Sequence, residues 1–171
     1  GQRVQSSDHQ HINPTRDGIL RAACTCGAVG GTTKEAGAYN RWLAEVYAEA
    51  AQATGGPTRE FHVVGGLHPK LRLSYYTDMM RGLKERHPQV HIKALTAVEI
   101  AHLARLEKLS EREVLIAMKD AGLTSLPGGG AEVFSTAVRA TIAERKLTGE
   151  EWIRVQRTAH ELGIPTDCTM L

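Results

Sequence analysis

The sequence has few cysteines and no long apolar runs, and each shortage excludes a class of protein. Three cysteines, Cys24, Cys26 and Cys168, are too few and too unevenly spaced for the disulfide framework of a small secreted domain. No stretch approaches the roughly 18 consecutive apolar residues that a membrane helix needs, and residues 1–10 lack the apolar core of a signal peptide. These absences predict a cytoplasmic protein without a membrane partner.

Blocks of like charge are also missing. The formal net charge is +2, and lysines and arginines are spread along the chain, which argues against a nucleic-acid partner. With 42% hydrophobic and 23% charged residues, the 171 residues have the composition of one globular domain. The chain begins with Gly1 rather than Met and stops within a strand-like run, so we expect residues 1–171 to form a single, incomplete domain.

Short apolar segments alternate with helical periodicity from about residue 38 onward. Three Ser/Thr-x-x-Glu pairs, at 96/99, 110/113 and 148/151, have the spacing of helix capping boxes. The predicted strands lie at 60–64, 90–95 and 166–171, with a short apolar piece at 124–126. The predicted helices lie at 38–54, 75–86, 98–106, 113–121 and after Thr148. Because parallel neighbours need crossovers, this order predicts an α/β fold, a partial parallel (β/α) barrel truncated after about five strands. A doubly wound open sheet is the alternative.

The predicted strand ends carry glycines, and reacting groups of β/α barrels lie at the C-terminal ends of strands. At Gly65 and Gly66 a ligand could approach the backbone closely, although a tight turn would also use this pair. Farther along, Gly128, Gly129 and Gly130 form a run that predicts a backbone cradle for a ribose or carboxylate. No Lys-Ser or Lys-Thr follows this run, so it is not a P-loop.

Polar residues near the end of the 90–95 strand allow two interpretations. The spacing of Thr96 and Glu99 favours a capping pair over a ligand-binding role. Lys93 would need an anionic partner such as a substrate carboxylate if it faces the interior, and would simply be solvated if it does not. The histidines are dispersed, and none forms a His-x3-His metal pair.

Four stretches resemble one family of enzymes: 62–69 (HVVGGLHP), 91–100 (HIKALTAVEI), 122–132 (GLTSLPGGGAE) and 157–171 (RTAHELGIPTDCTML). They are similar to the radical S-adenosylmethionine enzymes of menaquinone biosynthesis by the futalosine route, and within that group to aminofutalosine synthase. The cyclic dehypoxanthinylfutalosine synthase and the deazaflavin synthase subunits are the related alternatives.

The resemblance implies a radical SAM TIM barrel with a [4Fe-4S] cluster, S-adenosylmethionine and a small-molecule substrate. In such a synthase the adenosyl radical adds to the enol-ether double bond of 3-[(1-carboxyvinyl)oxy]benzoate. The resemblance implies that Gly65 and Gly66 contact the methionine part of the cofactor, and that the glycine run and Glu132 lie beside the cofactor or substrate. The candidates for binding the substrate are His68, Lys93 and Thr96.

The sequence departs from this family at the cluster-binding cysteines. The family follows a segment like 11–15 (HINPT) with C-x3-C-x2-C, but those positions fall here on Gly18, Ala22 and Thr25, none of which supplies a thiolate. Cys24 and Cys26 do not restore the spacing. Residues 16–34 are therefore anomalous, through either a shifted reading frame or a true loss of the cluster. Both explanations predict that this chain is inactive, and the second leaves a cluster-less SAM-binding or vestigial protein.

Overall fold

A computed structural model of the chain describes residues 10–14, 19–24, 59–144 and 146–171. The predicted helix over 38–54 lies outside these residues, as do Gly18, Thr25 and Cys26. The elements are β1 (Gln10–Pro14), β2 (Ile19–Cys24), β3 (Glu60–Val64), α1 (Leu73–Arg86), β4 (His91–Ala94), α2 (Ala97–Glu107), α3 (Glu111–Asp120), α4 (Thr136–Ile142) and α5 (Gly149–Glu161). The prediction of an α/β fold is confirmed, and no helix of these described segments is long and apolar enough to cross a membrane.

The four strands form one sheet in the order β1-β2-β3-β4. β2 pairs in parallel with β3, and β3 pairs in parallel with β4, where His62 lies opposite Lys93. Isolated parallel bridges continue from β4 through the chain: Lys93 with Ser125, Leu126 with Thr166, and Glu132 with Met170. The parallel pairing therefore runs from β2 toward the C-terminal residues.

The N-terminal edge of the sheet differs from the predicted all-parallel order. β1, which contains most of the HINPT segment, pairs antiparallel with β2, and β2 rather than β1 is the neighbour of β3. Only residues 15–18 connect the two strands. A parallel pair needs a crossover of a dozen or more residues, so a connection this short permits only an antiparallel hairpin.

The predicted strand over 166–171 is present only as single bridges at Thr166 and Met170. Its neighbour passes through Pro127, which has no N–H to donate, and then reaches Gly130, whose φ of +93° turns the backbone out of the extended conformation. A continuous ladder therefore cannot form between the two segments. The neighbouring backbones still exchange hydrogen bonds, including 3.1 Å from Thr169 N to the Gly128 carbonyl.

Helices cover one face of the sheet, where the hydrophobic core lies. Phe61 and Ile92 are fully buried on β3 and β4, whereas Glu60 and Lys93 alternate with them toward the other face and stay partly exposed. Full burial of a side chain such as Phe61 stabilises the fold by roughly 1.5–3 kcal/mol. β3 and β4 therefore present an apolar, packed face to the helices and a polar face to the opposite side.

The three predicted capping boxes are all present and begin α2, α3 and α5. In each box the Ser or Thr side chain accepts from the backbone of the Glu three residues later, and that Glu accepts from the cap. α4 was not predicted, because its seven residues are short and leave Val138 and Ile142 exposed rather than on a core-facing stripe.

Candidate functional site

The ends of β3 and β4 meet through one carboxylate. Gly65 and Gly66 follow β3 directly and are exposed. The N–H of Gly65 donates to Glu99 Oε1 at 3.1 Å, across 34 residues of sequence. Because Glu99 lies in the first turn of α2, which begins right after β4, this hydrogen bond ties two neighbouring strand ends together.

Glu99 is only 6% exposed, and both of its carboxylate oxygens are hydrogen-bonded. Oε2 accepts from the N–H and from the hydroxyl of Thr96, each at 2.8 Å. Burial raises the pKa of Glu99, while the hydrogen bonds from Thr96 and Gly65 act in the opposite direction. Burial, and then the charge of Glu99, also raise the pKa of Tyr76 to about 12, so the Tyr76 hydroxyl is neutral at physiological pH.

The glycine run lies against the same edge. A Cβ placed on Gly129 would lie 3.0 Å from Cγ2 of Thr96, and the Gly129 carbonyl accepts from Trp152 Nε1 at 3.1 Å. Thr96 thus contacts Gly129 through its methyl group and Glu99 through its hydroxyl. The structure brings Gly65, Thr96 and Gly129 together, so the glycine pair and the glycine run are at one edge rather than on opposite rims.

The glycine run and the glycine pair differ in whether the structure has room for a side chain at each position. At Gly128 a Cβ would lie 2.6 Å from the backbone nitrogen of Thr169, and at Gly130 it would lie 2.5 Å from Val98 Cγ2 on a backbone with φ of +93°. Gly65 and Gly66 have no left-handed φ. A Cβ on Gly65 would make an ordinary 3.5 Å contact, and no atom of the described residues lies within 4 Å of one on Gly66. Packing among the described residues explains the run, whereas it does not explain the pair.

His68, one of the predicted substrate-binding residues, lies in the turn that follows Gly66 and is buried. Its Nδ1 accepts from the backbone N–H groups of Lys70 and Leu71, both at 3.1 Å. An imidazole nitrogen that accepts two donors is unprotonated, so we assign the ring proton to Nε2. None of the described groups hydrogen-bonds that Nε2, which leaves it as a donor for a ligand.

Lys93 already has anionic partners within the protein. Its Nζ lies 2.8 Å from Asp167 Oδ2 and 3.8 Å from Glu60 Oε1, and its side chain is 19% exposed. The sequence predicted that Lys93 would need an anionic partner if it was not solvated. Asp167 and Glu60 are such partners, so Lys93 does not need a substrate carboxylate. Glu132, expected beside the cofactor, pairs with Lys146.

The sequence did not reveal one contact of Glu99 or the role of Arg139. The capping role of Glu99 was visible from its spacing, but its second oxygen reaches Gly65 only through the tertiary fold. Arg139 is buried in α4 and donates to four backbone carbonyls, those of Gly130, Ala131, Val133 and Leu147. It therefore holds the loop after the glycine run, and no local pattern in the sequence signals it.

Of the three positions where the resemblance expects cluster cysteines, only Ala22 lies among the described residues. Ala22 lies within β2, paired with Ile12 and Val63, and its methyl side chain cannot ligate iron. Cys24 ends β2, and Cys168 is exposed near the C-terminus with a free thiol. Among the residues that the structure describes, no group of three or more His, Cys, Asp or Glu side chains is arranged to hold a metal ion.

No family model matches this chain. It is 44% identical over 160 residues to the aminodeoxyfutalosine synthase of Thermus thermophilus, a match that covers 94% of this chain and 43% of that protein. It is 38% identical over its whole length to the aminodeoxyfutalosine synthase of Streptomyces coelicolor, covering 44% of that protein. It is also 36% identical, again over its whole length, to the 5-amino-6-(D-ribitylamino)uracil–L-tyrosine 4-hydroxyphenyl transferase of Methanopyrus kandleri.

The chain spans less than half the length of these curated relatives. The two synthase matches confirm the resemblance read from the four sequence stretches, which lie within the region that the alignments cover. Over most of its own length, this chain is a homologue of aminodeoxyfutalosine synthase.

Proposed function

We propose that this chain is the S-adenosylmethionine-binding part of a protein of the aminofutalosine synthase type, and that the edge formed by Gly65, Gly66, Thr96 and Gly129 holds the cofactor. The observation that carries the proposal is the glycine pair, which neither its backbone conformation nor packing among the described residues demands. Glycines without a structural reason at an exposed strand end favour close approach of a ligand to the backbone.

The backbone at this pair offers one acceptor and one donor. Among the described residues no group hydrogen-bonds the carbonyl of Gly65 or the N–H of Gly66, whereas the Gly66 carbonyl accepts from His68 N at 3.0 Å. A free carbonyl suits an ammonium group, and a free N–H suits a carboxylate. The methionine part of S-adenosylmethionine carries both of these groups.

His68 rather than Lys93 is our candidate for an anionic group of the ligand. Both were predicted to meet a substrate carboxylate, but Lys93 is neutralised by Asp167 and Glu60. His68 presents an Nε2–H whose tautomer is held by two backbone donors on Nδ1. A donor held in this way binds a carboxylate without first breaking an internal ion pair.

We further infer that the parallel strands are the beginning of a (β/α) barrel of the radical SAM type. The parallel order β2, β3 and β4, continued by bridges at Ser125 and Thr166, supports this inference. So does the polar face opposite the helices, since the interior of such a barrel carries the reacting groups at its strand ends. The remaining strands would come from the part of the longer relatives that this chain does not span.

We propose that the chain itself is inactive. In the family, S-adenosylmethionine supplies an adenosyl radical after reduction by a [4Fe-4S] cluster, and the cluster positions here carry Gly18, Ala22 and Thr25. Anaerobic reconstitution with iron and sulfide is therefore expected to load little or no cluster. A stable cluster with its usual charge-transfer absorption would contradict this proposal.

The nucleotide sequence distinguishes the two explanations for residues 16–34. An alternative reading frame that encodes C-x3-C-x2-C across this stretch would support a frameshift, and we then assign the synthase reaction on 3-[(1-carboxyvinyl)oxy]benzoate to the protein with the frame restored. If no frame encodes those cysteines, the frameshift explanation is wrong, and a cluster-less binding protein is the remaining one.

Isothermal titration calorimetry of the full chain with S-adenosylmethionine tests the cofactor site. We expect saturable binding to one site, and the absence of binding at millimolar ligand would overturn the proposal. The alternative is a transferase of the deazaflavin type, which the match to the Methanopyrus kandleri protein favours. In the titration of a longer, cluster-containing homologue, tyrosine binding would support that alternative and 3-[(1-carboxyvinyl)oxy]benzoate binding would support the synthase.

A further inference from the structure

The geometry points to Glu99 as the positioning residue of this site: its buried carboxylate binds the N–H of Gly65 and so orients the backbone that meets the cofactor. This inference rests on the proposed function. Glu99 itself need not touch the ligand. It acts through Gly65, whose carbonyl and the following N–H remain without partners among the described residues.

A comparison of two capping boxes within the chain isolates the special feature of Glu99. Glu113 Oε2 accepts from the N–H and hydroxyl of Ser110 at 2.8 and 2.7 Å, which matches the 2.8 Å contacts between Glu99 and Thr96. Glu113 is exposed and makes no hydrogen bond outside its own box among the described residues, whereas Glu99 is buried and binds Gly65. Helix capping explains the contacts of Oε2, which are the same in Glu99 and Glu113. It does not explain the contact that Glu99 Oε1 makes with Gly65.

The two oxygens of Glu99 join the ends of β3 and β4, next to the glycine run. Oε1 binds Gly65 after β3, Oε2 binds Thr96 after β4, and the Thr96 methyl group lies against Gly129. Leu95, between β4 and Thr96, has φ of +57°, a left-handed conformation that is unfavourable for a bulky side chain. Backbone strain of this kind is typical of segments whose position matters for binding.

Replacing the carboxylate with an amide separates the two roles of Glu99. In Glu99→Gln one oxygen becomes an NH2 donor, which cannot accept from either Gly65 or Thr96. The oxygen that remains can keep the helix cap or the Gly65 contact, and not both. Glu113→Gln removes the same capping feature from α3 and is the matched control.

The test combines amide exchange with ligand titration on the full chain. In Glu99→Gln we expect the Gly65 amide to exchange roughly tenfold faster or more. S-adenosylmethionine affinity is expected to fall by roughly tenfold, which corresponds to about 1.4 kcal/mol. Glu113→Gln is expected to change neither quantity. Glu99→Asp, which keeps the charge but is too short to span both partners, serves if the Gln variant does not fold.

The outcomes distinguish this inference from the proposed function. Wild-type affinity in a folded Glu99→Gln or Glu99→Asp chain that has lost Gly65 protection would overturn the positioning role and leave the cofactor site standing. Unchanged Gly65 exchange in those variants would overturn the positioning role as well. Failure of the wild-type chain to bind S-adenosylmethionine would overturn the proposed function, and the inference with it.

Discussion

Alanine substitutions at Gly66 and Gly128 should affect different properties of the chain. Gly66→Ala should weaken ligand binding without loss of stability, and Gly128→Ala should lower stability. At Gly66 the new Cβ meets no atom of the described residues within 4 Å, and the backbone is not left-handed. A Gly-to-Ala change at such a position stabilises a protein by about 0.4–1 kcal/mol, because it restricts the unfolded chain. The same methyl group would stand where we propose that the methionine part of the cofactor approaches the backbone.

At Gly128 the new Cβ would lie 2.6, 2.7 and 2.8 Å from backbone atoms of Thr169, Cys168 and Asp167. Backbone atoms cannot rotate away as a side chain can, so the 167–169 segment must shift, and overpacking of this kind costs about 1–3 kcal/mol. Gly128→Ala should therefore lower the free energy of unfolding, while Gly66→Ala should leave it unchanged or raise it slightly.

Urea unfolding and calorimetric titration with S-adenosylmethionine measure the two effects on the same preparations. We expect Gly66→Ala to weaken binding by roughly tenfold or more, equivalent to at least about 1.4 kcal/mol, in a chain of wild-type stability. Wild-type affinity in Gly66→Ala would contradict a cofactor site at the glycine pair. A loss of stability in Gly66→Ala as large as that in Gly128→Ala would refute it too, because a packing role would then explain the glycine pair.

Three further predictions concern the residues around the site. Lys93→Met should destabilise the chain by about 0.5–1 kcal/mol, because Glu60 and the half-exposed Asp167 lose their cation, and should leave S-adenosylmethionine affinity unchanged. Weaker binding at full stability would contradict the structural role of Lys93. Arg139→Met should lower the free energy of unfolding by about 3 kcal/mol, since four backbone carbonyls lose their donor. A decrease below about 1 kcal/mol in urea unfolding would contradict the role of Arg139 in holding the loop after the glycine run. Because burial raises the pKa of Glu99, its contribution to the free energy of unfolding should fall as pH rises from the ordinary glutamate pKa through the raised one. Urea unfolding at several pH values should show that fall in the wild type relative to Glu99→Gln, and identical pH profiles would contradict it.

Local patterns in the sequence predicted the elements that depend on local interactions. The strand at Glu60–Val64 and the caps at Thr96, Ser110 and Thr148 follow from alternation and from a three-residue spacing. Each of these signals involves groups within a few residues of one another, so no tertiary information is needed. The position of the glycine pair at a strand end was predictable for the same reason.

The features that the sequence did not predict depend on contacts between residues far apart in the chain. Lys93 pairs with Asp167, 74 residues away, and Glu99 accepts a hydrogen bond from Gly65, 34 residues away. The antiparallel pairing of β1 with β2 follows from where β2 begins, and the sequence pattern did not predict a strand there. The glycine run was interpreted as a cradle because its neighbours were unknown, and the structure places backbone or side-chain atoms against all three of its members. Whether the run also contacts a ligand stays a prediction.

The most direct test of the cofactor site is a titration of the 15N-labelled chain with S-adenosylmethionine, followed through its backbone amide resonances. We expect saturable shifts that are largest at Gly65, Gly66, Thr96 and Gly129, with the amides of α3 unchanged. The absence of shifts at Gly65 and Gly66, or saturable shifts centred on another part of the chain, would contradict that expectation.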